Sequence, residues 1–169
     1  MSNFKAAYEY LMKDEGKIFE NVPSDPGGAT AFGLTHTDIS RYLGRPVTID
    51  EMKAMNDELA MKIYQFLYWK PLGLDGVIND NVALVIFNQC VLRGIGFMKQ
   101  IQAMVGATPD GVVGPKTLAA INSFAPGKLI EMIEQNGERF YTSLAANKPS
   151  LRKFLRGWMN RTKRLLNFR

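Results

Sequence analysis

The stretch Asn21-Val22-Pro23-Ser24-Asp25-Pro26-Gly27-Gly28-Ala29-Thr30 constrains the fold of this chain more than any other. Two prolines remove backbone donors and two adjacent glycines open left-handed conformations, so no helix crosses it. Turns or a short hairpin fit instead, and this is the only segment with β character. Nearly everything else repeats with the helical period. Phe4, Ala7, Tyr8, Leu11 and Met12 mark a first helix, with Ser2 as the expected N-cap and Gly16 as the stop. A short helix is expected over 37–43, and another after the capping box Thr48-Ile49-Asp50-Glu51. A longer one spans Asn56 to Trp69 and is closed by Pro71. The run 81–92 is apolar on nearly all sides and predicts a central buried helix, with 95–105 following it. Thr108-Pro109-Asp110-Gly111 predicts a turn, and Pro115 starts a helix that runs to Phe124. Helices over 128–146, with Gly137 a weak point, and 151–166 complete the set. The expected fold is mainly α, a helical domain with one small β-hairpin after the first helix.

The chain has 169 residues, enough for one domain with a substantial core. It carries one cysteine, Cys90, and one histidine, His36. An internal disulfide is therefore impossible, and a zinc site built on Cys and His ligands is not expected. Cys90 closely follows the apolar run 83–87 and reads as a buried, inert thiol, although a Cys–His nucleophile pair is arithmetically open. No apolar run has the length of a membrane span, and the first residues do not form a secretory signal. Charge is unevenly placed. Residues 139–169 hold nine basic side chains and no acidic one, on a chain of net charge +5, so the other 138 residues are net negative. A basic end on an acidic body suggests an anionic partner.

Glu15 lies eleven residues after Phe4, seven after Tyr8 and four after Leu11, on the same helical face. A carboxylate on an apolar stripe is partly desolvated, and the last helical turn adds the negative end of the helix dipole. Both effects disfavour the anion, as a general acid requires. The competing reading is an outward-pointing carboxylate at a frayed helix end.

The run Asp14-Glu15-Gly16-Lys17-Ile18-Phe19, followed by Asp25 to Thr35, resembles the N-terminal signature of glycoside hydrolase family 108, a family of N-acetylmuramidases of phage endolysins and related bacterial proteins. Glu15, Gly16, Asp25, Gly28, Thr30, Gly33 and Thr35 match its pattern; Lys17 replaces a glycine and Leu34 an isoleucine. Three further segments resemble the family in the same order. They are Phe87 to Gly94, Asp110 to Leu118, which is similar to a peptidoglycan-binding segment, and Phe154 to Arg161. Asn88 and Leu92 depart from the usual Asp and Asn, which bears on either cleft contacts or internal hydrogen bonds.

The resemblance implies a lysozyme-like α+β fold, a single domain in two lobes. Residues 1–92 would form the catalytic part, with the hairpin at about 17–35, and residues 93–169 a helical peptidoglycan-binding part. It implies hydrolysis of the β-1,4 bond between N-acetylmuramic acid and N-acetylglucosamine. Two carboxylates flank such a bond. Glu15 would protonate the leaving oxygen, Asp25 would serve as second carboxylate, and Thr30, with Thr35 as a rival, would orient water. Gly28, Phe32, Thr35 and Gln89 would contact substrate. Asp25 also reads as a turn residue bonding its own backbone ahead of Pro26-Gly27. No cofactor or metal is expected.

The expected partner is bacterial peptidoglycan, with an anionic wall or membrane surface met by the basic C-terminal region, and the chain is expected to act as a monomer. In the setting of an endolysin it would accumulate in the host cytoplasm and reach the wall once the membrane is opened. Three other readings stand beside this one. A lytic transglycosylase would use the same acid and yield an anhydro product. A non-catalytic wall-binding module would survive replacement of Glu15. Nucleic-acid binding would use the basic residues around Phe154, Trp158 and Phe168, but no recognition motif supports it and no nucleic acid is expected. Leu151, Phe154, Leu155, Trp158 and Met159 form an apolar stripe on the last helix that reads as core-facing.

Overall fold

The computed structural model describes residues 3–20 and 29–169. Helix α1 spans Phe4–Glu15. Its cap is Asn3, whose side chain accepts from the Ala6 N–H at 3.1 Å; Ser2, the expected cap, lies outside the described residues. Gly16 ends the helix at φ 75°, with its N–H on the Met12 carbonyl.

Where one hairpin was expected there are three short antiparallel strands, β1 (Phe19–Glu20), β2 (Thr30–Ala31) and β3 (Leu34–Thr35), in that order across the sheet. Phe19 pairs with Ala31 and Glu20 with Thr30, while Ala31 also pairs with Leu34. The β2–β3 link is therefore a two-residue turn, Phe32-Gly33, with φ of 54° and 74°. Positive φ at both positions matches the right-handed twist of the strands. It is strained for a bulky residue such as phenylalanine. Two hydrogen bonds hold Phe32 there: its N–H donates to the Ile18 carbonyl at 3.1 Å, and its carbonyl accepts from the Tyr64 hydroxyl at 2.9 Å.

The remainder is helical. α2 (His36–Leu43) and α3 (Ile49–Lys53) each start on a complete capping box, Thr35 with Asp38 and Thr48 with Glu51. α4 (Asp57–Tyr64), capped by Asn56, runs into a π-helical turn over Gln65–Trp69. α5 (Asp80–Arg93) is the central helix, and every residue from Val82 to Cys90 is buried. Its Phe87 meets Phe4 and Trp69 at ring-centroid distances of 5.8 and 5.6 Å. These contacts fix α1 against the core.

α6 (Met98–Met104), α7 (Pro115–Ser123), α8 (Pro126–Asn147) and α9 (Arg152–Lys163) follow, and a 3₁₀ turn over Arg164–Phe168 closes the chain. α7 and α8 both begin on proline, where the missing N–H is not needed. α8 and α9 pack closely at Gly137, where a Cβ would stand 2.8 Å from Thr162 Cγ2. The weak point of the sequence is thus the place where α9 comes nearest. α9 corrects one expectation. Phe154 is 46% exposed, and the residues of this stretch that are fully buried are Thr162 and Leu165, toward its end. No helix among the described residues is long and apolar enough to cross a membrane.

Candidate active site

Glu15 sits on the last turn of α1, held inward by Tyr8 and Leu11, which are both buried on the same face. Its side chain is 23% exposed, so it is neither a core residue nor a freely solvated one. Three elements converge on it. From the β2–β3 turn, Gly33 comes so close that a Cβ there would stand 3.0 Å from Glu15 Oε2. From α4, Tyr64 braces that turn through the Phe32 carbonyl. Burial first, and the neighbouring Glu15 charge second, push the Tyr64 phenol far above its ordinary range and keep it a donor. From α9, the Arg161 guanidinium donates to Glu15 Oε1 at 2.7 Å.

Asp14 and Glu15 share Arg161, whose Nε lies 3.2 Å from Asp14 Oδ2 without hydrogen-bond alignment. Arg164 also pairs with Asp14. Lys17, the departure from the glycine of the family pattern, pairs with Asp57 at 2.8 Å, and the Tyr8 hydroxyl donates to the same carboxylate oxygen at 2.8 Å. The end of α1 is thus tied to α4 on one side and to the C-terminal helix on the other.

The expected site residues are distributed unevenly. Glu15, Phe32 and Gly33 come together. Phe32 is buried and shapes the turn, so its side chain is not a surface for a glycan. Thr30 is half-buried on β2, opposite Thr35 in the β2–β3 register. Thr35 is committed to capping α2: its hydroxyl donates to Asp38 Oδ2 at 2.7 Å and accepts from the Asp38 N–H at 3.2 Å. Its proton is spent on that cap, which leaves one lone pair on the hydroxyl. Gln89 was expected against substrate but is fully buried on α5, donating to Asn88 Oδ1 at 3.3 Å. An all-round apolar helix buries every face, including its polar positions. Asn88 is equally buried, so its departure from the family pattern concerns internal packing and not cleft contact. Asp25 and Gly28 lie outside the described residues. Cys90 is buried, and burial pushes its thiol up to about 12. His36 is exposed on α2, with Nε2 donating to the Val47 carbonyl at 2.7 Å, so the two form no nucleophile pair.

In the segment similar to a peptidoglycan-binding element, the Asp110-Gly111 turn is fastened by buried Gln102. Gln102 donates to Asp110 Oδ1 at 2.9 Å and accepts from the Gly111 N–H at 2.7 Å. A surface depression of about 600 Å³ lies beside it, lined in part by Thr108, Asp110, Val112 and Lys116, and does not reach Glu15.

A small three-stranded sheet set against an otherwise helical domain, with a part-buried glutamate at the end of the first helix facing it, defines a lysozyme-like fold. Comparison with known proteins makes the class specific: the chain belongs to glycosyl hydrolase family 108, whose model matches residues 8–94. A second model, described as a predicted peptidoglycan domain, matches residues 89–163. The fold is similar to the structure of SagA from Brucella abortus, at 30% identity and a TM-score of 0.83, covering 97% of this chain and 91% of that one. No curated protein matches the sequence. The chain is thus a peptidoglycan hydrolase of the muramidase type.

Missing from the sequence reading were Arg161, Tyr64 and Asp14. The signal for Arg161 was present but faint: two adjacent carboxylates end α1, and two arginines stand three apart, about one helical turn, where α9 runs into the closing 3₁₀ turn.

Proposed function

We propose that this chain cleaves the β-1,4 bond between N-acetylmuramic acid and N-acetylglucosamine, with Glu15 as the general acid. The observation that carries the proposal is the setting of Glu15, part-buried yet reachable, with Oε2 turned toward the Gly33 turn. Glu15 protonates the leaving glycosidic oxygen as oxocarbenium character develops at the sugar. Asp25 serves as the second carboxylate and Thr30 orients the attacking water. A water lying between acid and base gives inversion at the anomeric carbon. The biological setting is lysis of a bacterial host by a phage endolysin, with the basic C-terminal surface meeting the wall.

The test is digestion of purified peptidoglycan, with the new ends identified by mass and early-time NMR. Reducing N-acetylmuramic acid ends of inverted configuration are expected. Anhydro ends would establish a transglycosylase in its place, and reducing N-acetylglucosamine ends would overturn the bond assignment.

A further inference from the structure

The contact between Glu15 and Arg161 joins residues 146 apart in the chain. Arg161 lies within the part matched by the peptidoglycan-domain model, and Glu15 within the part matched by the hydrolase model alone. A guanidinium has five N–H donors and no acceptor. Glu15 Oε1, engaged by Arg161 Nη2 at 2.7 Å, must therefore accept and cannot carry a proton along that contact. A proton on this carboxyl resides on Oε2, the oxygen beside the Gly33 turn.

We infer that Arg161 is a positioning residue for Glu15: it holds Oε1 and so leaves Oε2 as the oxygen that gives up the proton. The inference rests on Glu15 being the general acid. The geometry suits the role. Arg161 is only 18% exposed and lies between Asp14 and Glu15, bonded to Glu15 Oε1 and ion-paired with Asp14, which fixes the position of Oε1. Its own placement depends on Gly137, which lets the α9 residue next to it, Thr162, lie against α8. The C-terminal part therefore completes the active site in addition to any part it plays in holding the wall.

The experiment measures kcat and KM on short, soluble glycan fragments, together with melting temperatures, for Arg161→Met, Arg161→Lys, Arg164→Met and Glu15→Gln. Misplacement of a reacting group by about 1 Å can lower rate by about 10²-fold. Arg161→Met is therefore expected to lower kcat by about 10²-fold with KM little changed. Arg161→Lys should recover about tenfold of that loss, since an ammonium is a point charge and cannot span two carboxylates. Arg164→Met breaks a pair to Asp14 on the same helix end without touching Glu15, and should keep the parental kcat.

Parental kcat in Arg161→Met would overturn the inference, and so would equal losses in Arg161→Met and Arg164→Met, which would mark a purely structural clamp. Should Arg161→Met fail to fold, Arg161→Lys decides: a folded variant with parental kcat would overturn it. Parental turnover in Glu15→Gln would instead remove the underlying reading of the acid, whatever the arginine variants do.

Discussion

Gly33→Ala probes the site at its tightest point. Gly33 has φ +74°, and an added Cβ would stand 3.0 Å from Glu15 Oε2, 3.0 Å from the Tyr64 hydroxyl and 3.1 Å from Glu15 Cβ. Left-handed backbone costs an alanine roughly 1–2 kcal/mol. In a domain of this size that lowers the melting temperature by about 2–8 °C. The contact has a separate effect. Carbon atoms rest about 3.5–4.0 Å apart, so Glu15 must retreat by roughly half an ångström. With about 10²-fold per ångström as the scale, kcat falls about tenfold.

Gly44→Ala is the matched control: φ is +69° and nothing lies within 4 Å of the added Cβ. It carries the same backbone strain without moving Glu15. Both variants should melt lower, Gly33→Ala by at least as much as Gly44→Ala, and only Gly33→Ala should lose turnover on a soluble fragment. Equal kcat in the two variants would refute the claim that the turn sets the position of the acid.

Gly137→Ala gains about 1 kcal/mol of helix propensity but drives a Cβ to 2.8 Å from Thr162 Cγ2, so a net loss of melting temperature and of kcat is expected. Thr162→Ser in the same chain, which deletes that methyl, should restore both. Glu134 on α8 is buried, and its carboxyl is raised by burial first and by the neighbouring Glu138 second. A raised value in the fold means that the folded state binds the proton more tightly than the unfolded chain, so the carboxylate opposes stability at neutral pH. Glu134→Gln should therefore melt higher than the parent at pH 7, and the gap should close as pH falls toward about 4 in a thermal-melt series. Arg152, Lys153 and Arg156 are exposed on α9. Reversing their charges should weaken lysis of whole walls and spare soluble fragments. Parental lysis of walls should itself fade as salt approaches about 1 M, where the Debye length is about 3 Å. Equal loss on both substrates would point to the fold and not to wall attachment.

Local chemistry made most helices legible. The Thr48 capping box, the Asn56 start and the proline start of α7 all act within four residues of the backbone they cap, so sequence spacing reports them directly. The β2–β3 turn was harder to read, because Phe-Gly is not a usual primed-turn pair. Phe32 is held at positive φ by its N–H on the Ile18 carbonyl and by the hydroxyl of Tyr64, 32 residues away, on its own carbonyl. Gln89 was misread because a polar side chain in a helix buried on every side gives no sign of which way it faces. The exposure of Phe154 was hidden because an apolar stripe marks a helix face and not what covers it; on this stripe Trp158 stacks on Tyr141 while Phe154 stays exposed. Glu15 was legible from its place on the apolar face. Its partner Arg161 was only faintly so, since an ion pair across 146 residues leaves no periodic trace.

The central claim is that Glu15 donates the proton that breaks the glycosidic bond. Glu15→Gln keeps the size of the side chain and can still accept from Arg161 through its amide oxygen, but has no carboxylic proton to give. The direct measurement is the release of new reducing ends from purified peptidoglycan by equal amounts of folded parent and variant. General acid catalysis contributes about 10²–10⁴-fold, so the variant should fall by at least about 10²-fold with its melting temperature near the parent's. A folded Glu15→Gln protein that releases reducing ends at the parental rate would contradict the account.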